Sequence, residues 1–162
     1  MKLRSPGVIE TRAIGERLGS LMVPGDVVVL SGDLGSGKTA LAQGIGRGLG
    51  VDEAVVSPSF VIVREYAGRI PMVHVDVYRL DHVQELHDLG FEEVVDDTRV
   101  TVIEWGDRVA PLLPDSRLEV WLRVGSTPDE REIECAPRGR GWSGREGALE
   151  AALLPWAVGS SC

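Results

Sequence analysis

The chain has 162 residues, 43% of them hydrophobic and 26% charged, which is enough to bury one core and too little for two ordinary domains. Its net charge of −8 comes from acids in the second half: residues 1–81 carry nine basic and nine acidic side chains, residues 82–162 eight and sixteen. That balance argues against autonomous nucleic-acid binding. No run approaches the roughly 18 apolar residues of a membrane span, and the opening MKLRSPGVIETR has no apolar block, so a soluble, cytoplasmic protein with no membrane attachment is expected.

From Thr11 to Met22, Ala13, Ile14, Leu18, Leu21 and Met22 recur at helical spacing until Pro24 and Gly25 stop the pattern. Asp26 to Ser31 is a short apolar run of the kind a strand buried on both faces requires. GDLGSGKT follows at once, then Leu41, Ile45 and Leu49 at i, i+4, i+8, with Gly50 as the stop. The pattern predicts strand, loop, helix. Seven glycines (32, 35, 37, 44, 46, 48 and 50) crowd into nineteen positions, which marks a site rather than a disordered segment.

Phe60 to Tyr66 and Met72 to Tyr78 read as two strands of a hairpin, since only five residues join them. Alternation in the second puts Val73, Val75 and Val77 on one face and His74, Asp76 and Tyr78 on the other. His74 is expected as a packed or hydrogen-bonded strand residue and Tyr78 as a core aromatic. Asp81 to Asp97 predicts one or two short helices with Val83, Leu86 and Leu89 inward, Gly90 as a break, Phe91, Val94 and Val95 as a second apolar cluster, and a strongly acidic outer face. Val100 to Trp105 is a buried strand ending in an acid. Leu118 to Val124 alternates strictly, and Arg131 to Ala136 is the last strand. PRGRGWSGR is predicted as a mobile loop, followed by a helix that Ser143 and Glu146 open at capping-box spacing and Pro155 closes. Residues 1–162 therefore form a single domain, with 137–162 a variable loop and helix. Cys135 and Cys162 stand far from any metal-ligand or disulfide spacing and are read as free thiols.

Gly32, Gly35, Gly37, Lys38 and Thr39 fit GxxxxGK[ST] between a predicted strand and a predicted helix. Glycines let successive N–H groups curl around phosphate oxygens, the helix N-terminus adds partial positive charge, Lys38 reaches the outer phosphates and the Thr39 hydroxyl ligates magnesium. The candidate nucleotide-binding residues are Gly35, Ser36, Gly37, Lys38, Thr39 and Ala40. The chain has fifteen Arg and two Lys, Lys2 and Lys38, so Lys is retained where a compact charge enters a tight cradle. Asp76 and Glu104 each end an apolar strand and are the candidate acids for the metal and the attacking water. Trp105 follows Glu104 and points to the opposite side if the strand continues, where it packs on a base, anchors a partner or caps the core. With no Asn anywhere, the guanine-reading NKxD motif of Ras-type GTPases is excluded, leaving adenine as the expected base.

GDLGSGKT, SPSF at 57–60, HVDVYRL at 74–80, ELHDLG at 85–90 and VIEW at 102–105 together resemble the TsaE (YjeE) family, in order and spacing across roughly residues 10–136. The resemblance implies an α/β P-loop NTPase-like three-layer sandwich with a mixed, partly antiparallel sheet. It implies an ATP- and magnesium-dependent ATPase of tRNA threonylcarbamoyladenosine biosynthesis working with TsaD and TsaB, the tRNA being reached only through those partners. By motif, Lys38 and Thr39 bind phosphate and magnesium, Asp76 supports the metal, and Glu104, also a candidate metal ligand, serves with Trp105 in hydrolysis or switching. Ser59 stands where the family usually has Thr. Two other classes fit a phosphate loop: a small-molecule kinase whose lid is built from Arg138, Arg140 and Arg145, and a nucleotide-gated scaffold without turnover.

Overall fold

The computed structural model describes residues 1–58, 63–78 and 94–159 of the chain. Its strands are β1 (Lys2–Ser5), β2 (Val27–Ser31), β3 (Val63–Tyr66), β4 (Met72–Asp76), β5 (Val100–Glu104), β6 (Arg117–Val124) and β7 (Arg131–Arg138). The described helices are α1 (Val8–Leu21), α2 (Lys38–Gly48) and α3 (Glu146–Leu153), with short 3₁₀ segments at Gly106–Leu112, Arg140–Trp142 and Leu154–Trp156. The seven strands form one sheet in the order β1-β7-β6-β2-β5-β4-β3. β2 lies parallel between β5 and β6, and β4 lies parallel to β5. The flanking pairs β3–β4, β6–β7 and β1–β7 are antiparallel, which makes the sheet mixed.

Every residue of β2, β4 and β5 is buried, as parallel strands covered on both faces require. On one face Ile14 and Leu18 of α1, Leu41 and Ile45 of α2, and Leu149 and Leu153 of α3 pack on Val28, Leu30, Val102 and Leu122. On the other, Val27, Val29, Val73, Val75 and Ile103 are covered by Val109 and the partly buried Val94, Val95 and Leu112. The layers are thus helices, sheet and a smaller third layer. β6 keeps the predicted alternation, burying Leu118, Val120 and Leu122 while Trp121 remains 39% exposed.

The glycine-rich stretch divides into two uses. Gly32, Gly35 and Gly37 belong to the loop between β2 and α2, all with positive φ. Gly44 and Gly48 instead let α2 lie backbone to backbone on Gly15 and Gly19 of α1: a Cβ on Gly44 would sit 2.1 Å from the Arg12 carbonyl oxygen, and one on Gly19 2.2 Å from that of Ile45. The crowding that reads as one site is half helix packing.

Other expectations are corrected by the structure. β1 has no counterpart in the predicted elements, because a four-residue edge strand of pattern KLRS is too short for alternation to register. α1 begins at Val8, three residues before the predicted start. β4 stops at Asp76, and Tyr78 is 41% exposed rather than a core aromatic. The 137–145 segment is structured: Pro137 and Arg138 extend β7, and Trp142 is 2% exposed. No capping box opens α3, whose N-cap is Arg145 without a side-chain cap bond. Arg145 is instead engaged bidentately by Asp26 at 2.7 and 2.8 Å, donates to the Leu21 carbonyl at 2.9 Å and lies 4.3 Å from the Trp142 ring. Phe60 to Ile62, most of the predicted 81–97 helices and Cys162 lie outside the described residues. Cys135 is a free, buried thiol whose pKa burial pushes up to about 12.

Candidate functional site

The parallel strands β2, β4 and β5 end together at one edge of the sheet, and their C-terminal ends bring the candidate residues to one place. β2 runs into the loop 32–37, whose last glycine, Gly37 (φ 102°), is the N-cap of α2. The first, Gly32 (φ 143°), has no room for a side chain, since a Cβ would lie 2.2 Å from the Leu122 carbonyl oxygen. The loop's curl is therefore held by β6 as well as by its own backbone. From Arg131, at the start of β7, the guanidinium donates to the Gly35 carbonyl at 3.2 Å. Sequence reasoning missed this contact because it joins residues 96 positions apart.

Lys38 is 5% exposed, and its ammonium donates to the carbonyls of Gly32 at 2.7 Å and Asp33 at 2.8 Å. Burial holds its pKa below the ordinary 10.5, opposed by the nearby carboxylates of Glu104, Asp76, Asp107 and Asp33. Thr39, the next residue of α2, faces β5 and donates its hydroxyl to Glu104, with Oγ1 3.0 and 3.2 Å from the two carboxylate oxygens.

Asp76 and Glu104 are register partners on adjacent parallel strands, so the two acids stand side by side, 6% and 2% exposed. Each has its own donors. Asp76 accepts from the Ser57 hydroxyl at 2.7 Å and from the backbone N–H of Tyr78 at 2.9 Å. Glu104 accepts from Thr39 and lies 2.9 Å from Nε2 of the fully buried His74. Ser57 of the SPSF segment reaches the site, and Ser59 lies outside the described residues.

Trp105 departs from its predicted direction. It has φ 62° and ψ 32°, the sole positive φ at a non-glycine among the described residues, so β5 does not continue through it. The side chain folds back toward the loop, its ring centroid 3.8 Å from the Lys38 Nζ and 4.8 Å from the Tyr78 ring. Arg108 lies 5.4 Å from the same ring and donates to the Tyr78 carbonyl at 2.7 Å. Trp105 thus sits at the Lys38 side of the loop.

Two clefts flank the loop. One of about 400 Å³ is lined by Lys38, Thr39, Asp76, Glu104 and Trp105. The other, about 350 Å³, lies beyond the start of α2 between Gly7, Val8, Thr11, Ala40 and Asp129. The donors in the first cleft are a hydroxyl and two carboxylates, hard oxygens that suit magnesium. Among the described residues no group of three or more His, Cys, Asp and Glu is arranged to hold a metal, so a magnesium ion here could complete its shell with phosphate oxygens and water. The arginines of the kinase reading lie elsewhere: Arg145 binds Asp26, which precedes β2 at the end opposite the loop, and Arg138 pairs with Glu119 at 3.2 Å. No described helix is long and apolar enough to cross a membrane.

Comparison with known proteins shows a family and a fold. Residues 6–133 match the family described as threonylcarbamoyl adenosine biosynthesis protein TsaE. The chain is 42% identical over 136 residues to the tRNA threonylcarbamoyladenosine biosynthesis protein TsaE of Treponema pallidum, covering 84% of this chain and all of that one. It is 40% identical over 134 residues to the Bacillus subtilis protein of the same name, covering 82% and 83%. The crystal structure of YdiB from Bacillus subtilis superposes with a TM-score of 0.81 at 34% identity, over 93% of this chain and 94% of that one.

Proposed function

The chain belongs to the TsaE family of tRNA threonylcarbamoyladenosine biosynthesis proteins, and from that premise we propose that it is a cytoplasmic P-loop ATPase acting through an ATP-dependent complex with TsaD and TsaB. The observation that carries this reading is the convergence of Lys38, Thr39, Asp76 and Glu104 on one cleft beside a loop shaped by positive-φ glycines.

The backbone N–H groups of Gly35 to Thr39 and the N-terminus of α2 attract the phosphates. Lys38 exchanges the two loop carbonyls it now holds for phosphate oxygens, a stronger, charge-assisted pairing. Thr39, Asp76 and Glu104 would hold magnesium, which when bound neutralises developing charge on the phosphates. Glu104, whose carboxylate lines the cleft, orients the attacking water or accepts its proton. Trp105 covers Lys38 and limits water there. The second cleft, on the side of α2 away from Trp105, takes the adenine base.

Partner dependence is supported by the rim of the first cleft, where Leu34 and Tyr78 are 78% and 41% exposed. Apolar side chains left in water around a polar site favour cover by another protein. The net charge of −8 gives the chain no footprint for tRNA of its own, so tRNA is reached through the partners. The test is ATP titration followed by phosphate release, alone and with TsaD and TsaB. Binding by the chain alone, and release that rises with the partners, is the expected result. No ATP binding would overturn the reading, and release unaffected by TsaD and TsaB would remove the complex from it.

A further inference from the structure

We infer that His74 is the positioning residue for Glu104. The inference rests on the ATPase reading above and adds a residue that it does not use. His74 is 0% exposed, in the middle of β4 between Val73 and Val75. Its Nε2 lies 2.9 Å from Glu104 Oε1. A carboxylate oxygen accepts, so Nε2 carries a proton and donates it to Glu104. That Nδ1 is buried and, among the described residues, has no hydrogen-bond partner.

An orphaned buried polar atom is a cost that an apolar side chain here would avoid. The bond to Glu104 is what the imidazole supplies in return. It also divides the carboxylate: Oε1 takes His74 and the shorter Thr39 contact, while Oε2 has, among the described residues, the 3.2 Å contact to Thr39. His74 therefore turns Oε2 toward the cleft. Its hold does not depend on Thr39, whose hydroxyl is the group a nucleotide-bound magnesium would use. Asp76, two residues along, is fixed separately by Ser57 and the Tyr78 N–H, so the adjacent acids keep distinct orientations without sharing a donor.

The test compares His74→Leu with His74→Gln in the full chain. Leucine fills similar space without a donor, and the glutamine amide nitrogen can stand near the place of Nε2. The readouts are the ratio of ATP affinity with magnesium to that in EDTA, and single-turnover phosphate release with TsaD and TsaB. Leucine should cost roughly ten- to a hundred-fold in the magnesium-dependent terms, the range for losing a partner of a metal-ligating group, and glutamine should recover most of it. Val75→Ala, on the opposite face of β4, should lower the melting temperature and leave the affinity ratio unchanged. Nitrogen-15 NMR of the wild-type ring should show the Nε2–H tautomer, which decides the matter even if the leucine variant fails to fold. The inference is overturned by an Nδ1–H tautomer, by a leucine variant with wild-type magnesium dependence, or by leucine and glutamine being equally impaired. If the wild type binds no ATP at all, the ATPase reading itself has failed and the inference falls with it.

Discussion

Replacing Gly44 with Ala sets two well-known effects against each other, and the crossing of α1 and α2 decides between them. In a free helix the change gains up to about 1 kcal/mol, because alanine restricts the unfolded chain and suits the helix better. In this fold the new Cβ would lie 2.1 Å from the Arg12 carbonyl oxygen and 2.9 Å from the Gly15 Cα, more than 1 Å too close to a backbone that cannot rotate away. Overpacking costs about 1–3 kcal/mol, and a backbone obstacle puts this case at the upper end. The net is a loss of roughly 2 kcal/mol, or about 4–8 °C in melting temperature for a chain of this size. Gly147, inside α3, offers the same chemical change with nothing within 4 Å of the added carbon, so Gly147→Ala should be neutral or raise the melting temperature. Thermal unfolding of the two variants beside the wild type reads the difference directly. A Gly44→Ala protein as stable as the Gly147→Ala one would show that α1 and α2 do not touch through their glycines.

Lys38→Ala should abolish ATP binding in a titration without lowering the melting temperature, because burial makes the folded protein hold this proton less readily than the unfolded chain does. With the folded pKa below 10.5, the unfolded state binds more protons in the window between the two values. Wild-type stability should therefore rise relative to the variant as pH climbs through that window, and a parallel pH profile for the two proteins would refute the sign. Glu104→Gln should keep ATP binding in EDTA, since Lys38 and the loop are untouched, weaken its magnesium-dependent part at least as much as His74→Leu does, and lose phosphate release by about 10²-fold or more, as expected for a positioned acid or base; retained turnover measured with TsaD and TsaB would shift the catalytic role to Asp76. Arg145→Ala should cost about 2 kcal/mol in urea unfolding, from charge-assisted bonds to a mostly buried Asp26, with ATP affinity unchanged because the pair lies at the other end of β2 from the loop.

What the sequence disclosed was what neighbouring residues determine. The phosphate loop was legible because strand, glycines, Lys38 and helix are contiguous, and the β3–β4 hairpin because five residues can only turn the chain back. Asp76 and Glu104 were legible as strand-end acids, although their side-by-side pairing needed the β4–β5 register. Ser57 and Arg131 reach the site only through contacts 19 and 96 residues distant in sequence, which no local pattern records. Ser143 and Glu146 had the capping spacing, but Gly144 turns the chain at φ 84° and Arg145 is drawn to Asp26, so the tertiary contact prevailed over the local motif. The glycines of α2 failed as a site signal for a similar reason: a close helix crossing and a phosphate cradle both require the absence of a side chain.

Trp105 shows why alternation misleads at the end of a strand that carries chemistry. Extended backbone through positions 104 and 105 would send the two side chains to opposite faces of the sheet, and only one could have reached the loop. The left-handed conformation at Trp105 brings both to the same cleft. For a bulky residue this backbone costs about 1–3 kcal/mol, and it is held while Lys38 is buried against its ordinary ionisation and His74 Nδ1 stays unpartnered among the described residues. Trp105 and Lys38 line one cleft at the C-terminal ends of the parallel strands, and His74 stands behind it in the interior of β4. The opposite end of β2 shows the reverse balance, with the Asp26 carboxylate matched to Arg145 and to the Val23 N–H at 2.9 Å. Asp26 is thus fully matched at the end away from the loop, and the left-handed Trp105 and the buried Lys38 lie at the loop end.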